Sequence, residues 1–358
     1  MDDELFDEVG PLHAKRIGQD KYVMHVELPP DESGMVGREC TDEDCSPGYF
    51  KVKPGTGITQ GQTVSYCPYC RKSAEPEDFL TNAQKDYALK LLENEAIKSM
   101  NKAIQKGLGL GPSGRKKYGG GMFSIELSYD GSAPRFISRP IEEELQRDIL
   151  CPQCGLEHAV FGLAIWCPDC GEDIFLTHTA QELHVIEKVL SVVDQRRVEL
   201  GARVAAKDIE NALEDLVSIY ETVLKIITRR HLGKIGLVQE DVSDIIENKI
   251  RNQYQNITSS TSTFKQYVGL DLFENIDEQN VDFLRGVFEK RHPITHNLGI
   301  VDRKYLLRVR SEELEGREVR VTSEELQRAI KIVFDVLSSA YKLWNSSVEK
   351  PPELDNSK

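Results

Sequence analysis

The chain has 358 residues, with 59 Asp and Glu against 45 Lys and Arg and a formal net charge of −14. That length fits two or three domains, and the acidic balance excludes a protein that coats nucleic acid through overall charge, leaving room for a local basic site. No apolar run is long enough to span a membrane, and the acidic opening MDDELFDEVG lacks the apolar stretch of a secretory signal, so a cytoplasmic chain is expected.

Residues 1–20 are acidic and weakly patterned and are expected to form a loose arm. The alternation in 21–29 predicts a strand. Residues 40–70 hold the first four cysteines around a segment rich in turn formers and β-branched residues, which predicts short strands. A helix follows, capped by Thr81 or Asn82 and stopped by Gly107, with apolar positions from Ala83 through Ile104 at helical spacing. The segment 107–121 has seven glycines in fifteen residues and reads as a flexible linker. Residues 122–129 read as a strand and 140–149 as a short helix. From 178 onward the texture becomes amphipathic and helical. Helices are predicted over 181–200, 205–232, 238–253, 281–291 and 323–346, the last with Thr322 and Glu325 in capping-box spacing.

The cysteines fall into two groups. Cys151 and Cys154 are separated by twelve residues from Cys167 and Cys170, and each pair has the Cys-x-x-Cys spacing that puts two thiolates on one ion. Gly155 and Gly171 follow the pairs, as the tight turn needs. Cys40 and Cys45, with four residues between them, are separated by twenty-one residues from Cys67 and Cys70. Two tetrahedral S4 sites result, each suited to a structural Zn2+ ion, with iron as the minor alternative. The first group has a looser spacing, and His25 is an alternative ligand there. Eight thiolates leave no open coordination position, so the sites are read as structural rather than catalytic. In a chain without an export signal, a disulfide framework is the weaker reading.

The expected organisation is α+β and multidomain. A zinc-ribbon-like module covers 1–80, and a helix, basic linker and strand cover 81–133. A second ribbon covers 134–180, an all-α bundle 181–346, and a disordered tail 347–358. The helical half carries one tight histidine pair, in Arg291-His292-Pro-Ile-Thr-His296. Pro293 is expected to push His292 out of helical geometry and end the helix there. Seven bases and two acids lie between 283 and 310, a plausible landing place for phosphate. A neutral-range imidazole at His296 can take the 2′-OH proton of RNA or protonate the leaving 5′-oxygen. Arg291 can stabilise the pentacovalent phosphorus with its fork of donors. His292 can orient the phosphate or supply the second proton transfer. A structural alternative is an Arg and a His capping a helix C-terminus.

On these residues the last half of the chain resembles HEPN domains, a helical-bundle family whose ribonuclease members carry R-x4–6-H with a polar residue after the Arg. The resemblance implies a metal-independent endoribonuclease with an RNA substrate. It also implies a homodimer that joins two copies of the motif in one cleft, a role as a toxin or antiviral-defence effector, and restraint by an antitoxin or trigger protein. Glu221 is one candidate for the family's acidic helix residue. The rival reading is a non-catalytic HEPN-like dimerisation or binding module, with the ribbons recognising nucleic acid or protein.

Two further signals lie in the segment between the cysteine groups. The segment after Gly109 lacks the Lys-Ser/Thr of a phosphate loop. Lys98, Lys102, Lys106, Arg115, Lys116 and Lys117 run without an intervening acid, and this is either a phosphate-touching segment or a solvated face.

Overall fold

The structure is a computed structural model. It describes residues 12–18, 21–111, 114–119, 124–133, 135–140, 143–144, 147–309 and 313–349. The acidic residues 1–11 and the tail from 350 lie outside the described residues, as does Arg310. The chain divides into two compact units, Met1–Phe175 and Leu176–Lys358.

The first unit opens with an antiparallel hairpin of β1 (Leu12–Arg16) and β2 (Tyr22–Val26), so part of the expected loose arm is a strand. Its centre is a four-stranded antiparallel sheet. The order is β3 (Val36–Glu39), β4 (Tyr49–Val52), β10 (Glu157–Val160), β9 (Arg147–Leu150). The end of the segment expected to be helical, 140–149, is therefore β9. Its Ile149 is buried while its neighbours Asp148 and Leu150 are exposed, the period-2 pattern of a strand.

The sheet order is a palindrome. In each half the outer strand leads into one cysteine pair and the inner strand leads out of it, toward a second pair. β4 meets β10 in the middle, with Val52 opposite His158 and Phe50 opposite Val160. The two ribbons thus share one sheet, a packing that the sequence left open. Phe50, Phe79, Ile149, Leu156, Val160 and Ile174 pack with Cys67, Cys151 and Cys167 into a shared small core. On β4 the buried Lys51 is tolerated because Asp31 pairs with it at 2.7 Å. Burial would raise that carboxyl, but hydrogen bonds from Lys51, Ser33 and the Met35 amide hold it at about 2.

Between the two halves lie β5 (Ser65–Tyr66) with β6 (Ser73–Ala74), helix α1 (Asn82–Gly107), and a hairpin of β7 (Arg115–Tyr118) with β8 (Ile125–Ser128). Thr81 and Gln84 form a reciprocal capping box on α1. The expected apolar stripe of α1 is only half-buried, at Tyr87, Ala88, Leu91, Leu92 and Ile104. Gln84, Asn94 and Ser99 are buried instead, while Ala83, Ala96, Met100 and Ala103 are exposed. Polar clasps explain this. Gln84 donates to the Gly37 carbonyl at 2.9 Å, and Asn94 bonds both the carbonyl and the amide of Arg135, at 2.7 and 2.8 Å. The expected flexible linker also holds a strand, β7.

The second unit is helical. It contains α2 (Phe175–Ser191), α3 (Val193–Leu200), α4 (Ala202–Lys234) and α5 (Gln239–Asp244). A π-helical segment, Ile245–Ile250, and a 3-10 turn, Gln253–Gln255, follow. Then come α6 (Ile257–Val268), α7 (Glu278–Glu289), α8 (Arg291–His296), α9 (Arg303–Leu306) and α10 (Ser323–Glu349). The α4 face predicted from Ile209 through Ile227 is buried throughout. Burial of Leu326, Ile330, Val333, Leu337, Tyr341 and Trp344 on α10 gives the matching helical stripe. α4 packs against α3, α6 and α10, and Tyr220 on α4 meets Phe288 on α7 edge to face at 5.2 Å.

Two differences from expectation have local causes. The helix over 181–200 starts earlier and breaks at Val192 (φ −106°, ψ 3°). α6 was not expected, because its Ser/Thr-rich sequence has low helix propensity. Asn256 caps its start through the Ser259 amide, Gly269 ends it at φ 78°, and Ser260 and Thr261 bond back to carbonyls four residues earlier. Among the described residues, no helix is long and apolar enough to cross a membrane.

Candidate functional site

Each cysteine pair sits at the mouth of a tight turn. The amides of Arg71, Gly155 and Gly171 return to the carbonyls of Cys67, Cys151 and Cys167 at 2.9–3.0 Å, closing three knuckles. All three residues have φ between 66° and 77°, the left-handed region that glycine accepts most readily. At Gly171 the requirement is double, since a Cβ would meet the Tyr66 ring at 2.9 Å.

The turns gather the thiols into two groups, Cys40, Cys45, Cys67 and Cys70, and Cys151, Cys154, Cys167 and Cys170. Within each, the four sulfurs lie within 4.8 Å of one another. The sulfurs lie 3.6 Å apart for Cys40–Cys70, 3.7 Å for Cys45–Cys67, 3.8 Å for Cys151–Cys170 and 3.5 Å for Cys154–Cys167. A tetrahedron of thiolates about 2.3 Å from a central ion has edges of about 3.8 Å. The two groups therefore fit two metal ions. The thiols themselves favour a cation. Burial pushes Cys45 and Cys154 up to about 12, while the neighbouring Cys67 thiol pulls Cys70 down to about 5. Four sulfurs this close carry more than a fraction of their charge only with a cation among them. His25 stands on β2 opposite His13 and is not part of the first group.

The knuckles also interlock. Ile165 and Trp166 amides donate to the Pro68 carbonyl at 2.8 and 3.1 Å, and the Tyr66 amide donates to the Pro168 carbonyl at 2.7 Å. Arg71 lies 4.1 Å from the Trp166 ring centroid. Asp169, buried inside the last knuckle, accepts from the Ile58 amide at 2.9 Å and from Gln62 at 3.1 Å, tying the long loop of the first ribbon to the second.

In the helical unit, Arg291, His292 and His296 all lie on α8. This corrects the expectation that Pro293 removes His292 from helical geometry. Pro293 occupies the first turn of α8, where its missing N–H costs no helical bond. Lys290 stays right-handed at φ −60°, ψ −25°, so α7 passes into α8 through a proline kink. The helix sets His292 and His296 four residues apart on one side, with ring centroids at 5.2 Å. His292 is half-buried and His296 exposed. Burial lowers the His292 imidazole below its ordinary value, and Lys304, His296 and Arg308 lower it further against Asp302.

Arg291 is held from behind. Its Nη1 donates to Gln255 Oε1 at 2.9 Å, and Gln255 Nε2 donates to Glu221 Oε2 at 2.7 Å. The other Glu221 oxygen meets Lys225 at 2.7 Å. A relay of polar groups thus runs from α4 through the 3-10 turn to α8. Beside it, the buried Glu289 accepts from Asn256 and pairs with Arg308 at 3.4 Å. Gln255, Asn256 and Glu289 carried no sequence signal. They belong to no motif and reach the site only through the fold.

The basic surroundings are thinner than the sequence count. Lys290 binds Glu325 at 2.7 and 2.9 Å, Arg285 pairs with Asp282, and Arg308 with Glu289. Arg303 and Lys304 are exposed. Asp302 caps α9 through the Tyr305 amide at 2.7 Å, and Asn297 closes the turn after α8 on the Ile300 carbonyl. A cavity of about 450 Å³ in this unit is lined by Ile294 and Leu298 but not by Arg291, His292 or His296.

No protein-family model matches the chain, no curated protein matches it, and no solved structure matches it.

Proposed function

We propose that the chain is a metal-independent endoribonuclease of HEPN type, acting as a homodimer, with two structural Zn2+ ions in its β unit. The observation that carries the reading is the convergence on α8. One short helix presents a guanidinium and two imidazoles, and the guanidinium is fixed in place by Gln255 and Glu221. A half-buried polar relay behind an Arg is what positioning a phosphate-binding fork requires.

The chemistry follows from the side chains. His292, lowered below its ordinary value, is neutral near pH 7 and suits taking the proton of a ribose 2′-OH. The 2′-oxygen attacks the adjacent phosphorus while Arg291 neutralises the charge that builds on its oxygens. The bond from phosphorus to the 5′-oxygen breaks, and that oxygen takes a proton from His296. The products are a 2′,3′-cyclic phosphate and a 5′-hydroxyl. His296 is exposed on a single copy, and a second copy facing it would exclude water and double the guanidinium charge at the phosphate. Zinc is the metal that an all-thiolate tetrahedron favours. A role as a toxin or defence effector held by a partner agrees with such an activity.

A second reading, a non-catalytic helical binding module, draws support from the ion pairs that engage Lys290, Arg285 and Arg308. The test is incubation of the zinc-loaded protein with a mixed RNA pool in buffer without added divalent metal, beside the Arg291→Ala/His296→Ala double variant. Cleavage by the wild type alone supports the nuclease. Equal behaviour of the two proteins favours the binding module.

A further inference from the structure

We infer that the β7–β8 hairpin and the adjoining end of α1 form a docking ribbon for single-stranded RNA. The choice of RNA over other polyanions rests on the nuclease reading, while the surface itself does not. β7 reads Arg115-Lys116-Lys117-Tyr118, and every residue of β7 and β8 is exposed. Period-2 alternation and the register place Lys116, Tyr118, Ile125 and Leu127 on one face, and Arg115, Lys117, Glu126 and Ser128 on the other. Tyr118 is 46% exposed, Ile125 73% and Leu127 37%, and the Lys116 ammonium lies 5.0 Å from the Tyr118 ring centroid.

This composition is unusual for a strand left without a sheet. A hairpin that buries neither face gains little from its own packing. Aromatic and aliphatic side chains set beside a lysine offer a stacking surface for an unpaired base next to a contact for its phosphate. Duplex RNA hides its bases and gives Tyr118 nothing to stack on.

The hairpin is not adrift. Tyr129, just past β8, donates its hydroxyl to Asn101 Oδ1 at 3.0 Å and its amide to the Gly114 carbonyl at 2.9 Å. Asn101 donates in turn to the Ser132 carbonyl at 2.9 Å. These bonds seat the hairpin along the Asn94–Asn101 side of α1. Helical periodicity puts exposed Lys98, Lys102 and Lys106 in a stripe bordering that seam. From 96 to 118 the chain has six bases and no acid, in a protein of net charge −14. Lys98 pairs with Glu95 at 3.2 Å at the edge of the stripe, and the local excess of positive charge still attracts a polyanion.

The test uses full-length Arg291→Ala/His296→Ala protein, which cannot cleave on the proposed mechanism, and a fluorescent oligouridylate followed by anisotropy across a salt series. Lys116→Gln, on the face that carries Tyr118, should weaken binding by about threefold or more and lower the salt slope by about 0.7, one lost phosphate contact. Tyr118→Ala should weaken binding by about fivefold or more with the slope unchanged, and Tyr118→Phe should restore it. These positions are exposed, so the fold is not at risk. Unchanged affinity in both variants would overturn the inference. So would equal affinity for a duplex of the same length, or for polyglutamate, which would identify an acidic protein as the occupant. Oligouridylate binding with these effects, in a protein whose wild type cuts no RNA, would keep this inference and defeat the nuclease reading.

Discussion

The two units reach order by opposite means. The helical unit buries long apolar stripes on α4 and α10, and its core is continuous. The β unit spreads short strands from Leu12 to Val160, and the core its two ribbons share is small, with three cysteines among its buried members. A sheet of that size offsets little of the entropy of ordering such long loops, and each four-cysteine group could hold a metal ion that adds to it. The comparison teaches where chemistry can be placed. The β unit spends its reactive side chains on holding itself together. The helical unit is stable without such cross-links and leaves polar groups free to form a site.

The sharpest way to break this contrast is to remove the metal. Chelation, or Cys151→Ser with Cys167→Ser, should unfold the β unit, since structural zinc sites are worth about 10 kcal/mol or more. Limited proteolysis should then cut within 21–174 while 202–346 stays protected. Loss of both units together would deny their independence.

The next largest effect lies in the helical unit. Arg291→Ala or His296→Ala should each lower cleavage by about 10²–10⁴-fold while melting temperature and bound zinc stay at wild-type levels. A parallel fall in stability would make these residues structural caps.

Gln255→Ala probes the relay behind Arg291. Because Gln255 positions Arg291 and meets no substrate, kcat should fall by about tenfold with KM nearly unchanged. A rise in KM alone would assign it to substrate binding.

The smallest effect is a pH dependence. The folded-state value of His292 lies below its ordinary 6.5, so the unfolded chain binds more protons as pH drops below that point. The helical unit should therefore lose stability on acidification below about 6.5, and His292→Gln should flatten the curve there. The acid limb of cleavage should likewise fall below the ordinary histidine value. An acid limb above it would contradict a neutral His292.

The sequence made the metal groups and the long helices legible for the same reason: both depend on local spacing. Cys-x-x-Cys turns are closed by residues two to four apart, and the α4 stripe repeats within one helix. What stayed hidden was non-local. The pairing of β4 with β10 joins residues about a hundred positions apart, so the sequence left open whether the two ribbons pack together. Residues 140–149 read as helix because their acidic start masked the short alternation of β9. α1 misled in another way, since Asn94 is buried by hydrogen bonding where Ala83, Ala96 and Ala103 are exposed. At the α8 site, the Arg-His pattern was visible, but Gln255 and Glu289 were not, because they meet Arg291 and Arg308 only in three dimensions.

The central claim is most directly tested by the chemistry of the cut ends. RNA incubated with the zinc-loaded wild type, in buffer without added divalent metal, is examined for its termini by mass spectrometry. The account predicts 2′,3′-cyclic phosphate and 5′-hydroxyl ends, absent with the Arg291→Ala/His296→Ala variant. Ends bearing 3′-hydroxyl and 5′-phosphate, or cleavage that survives the double substitution, would contradict it.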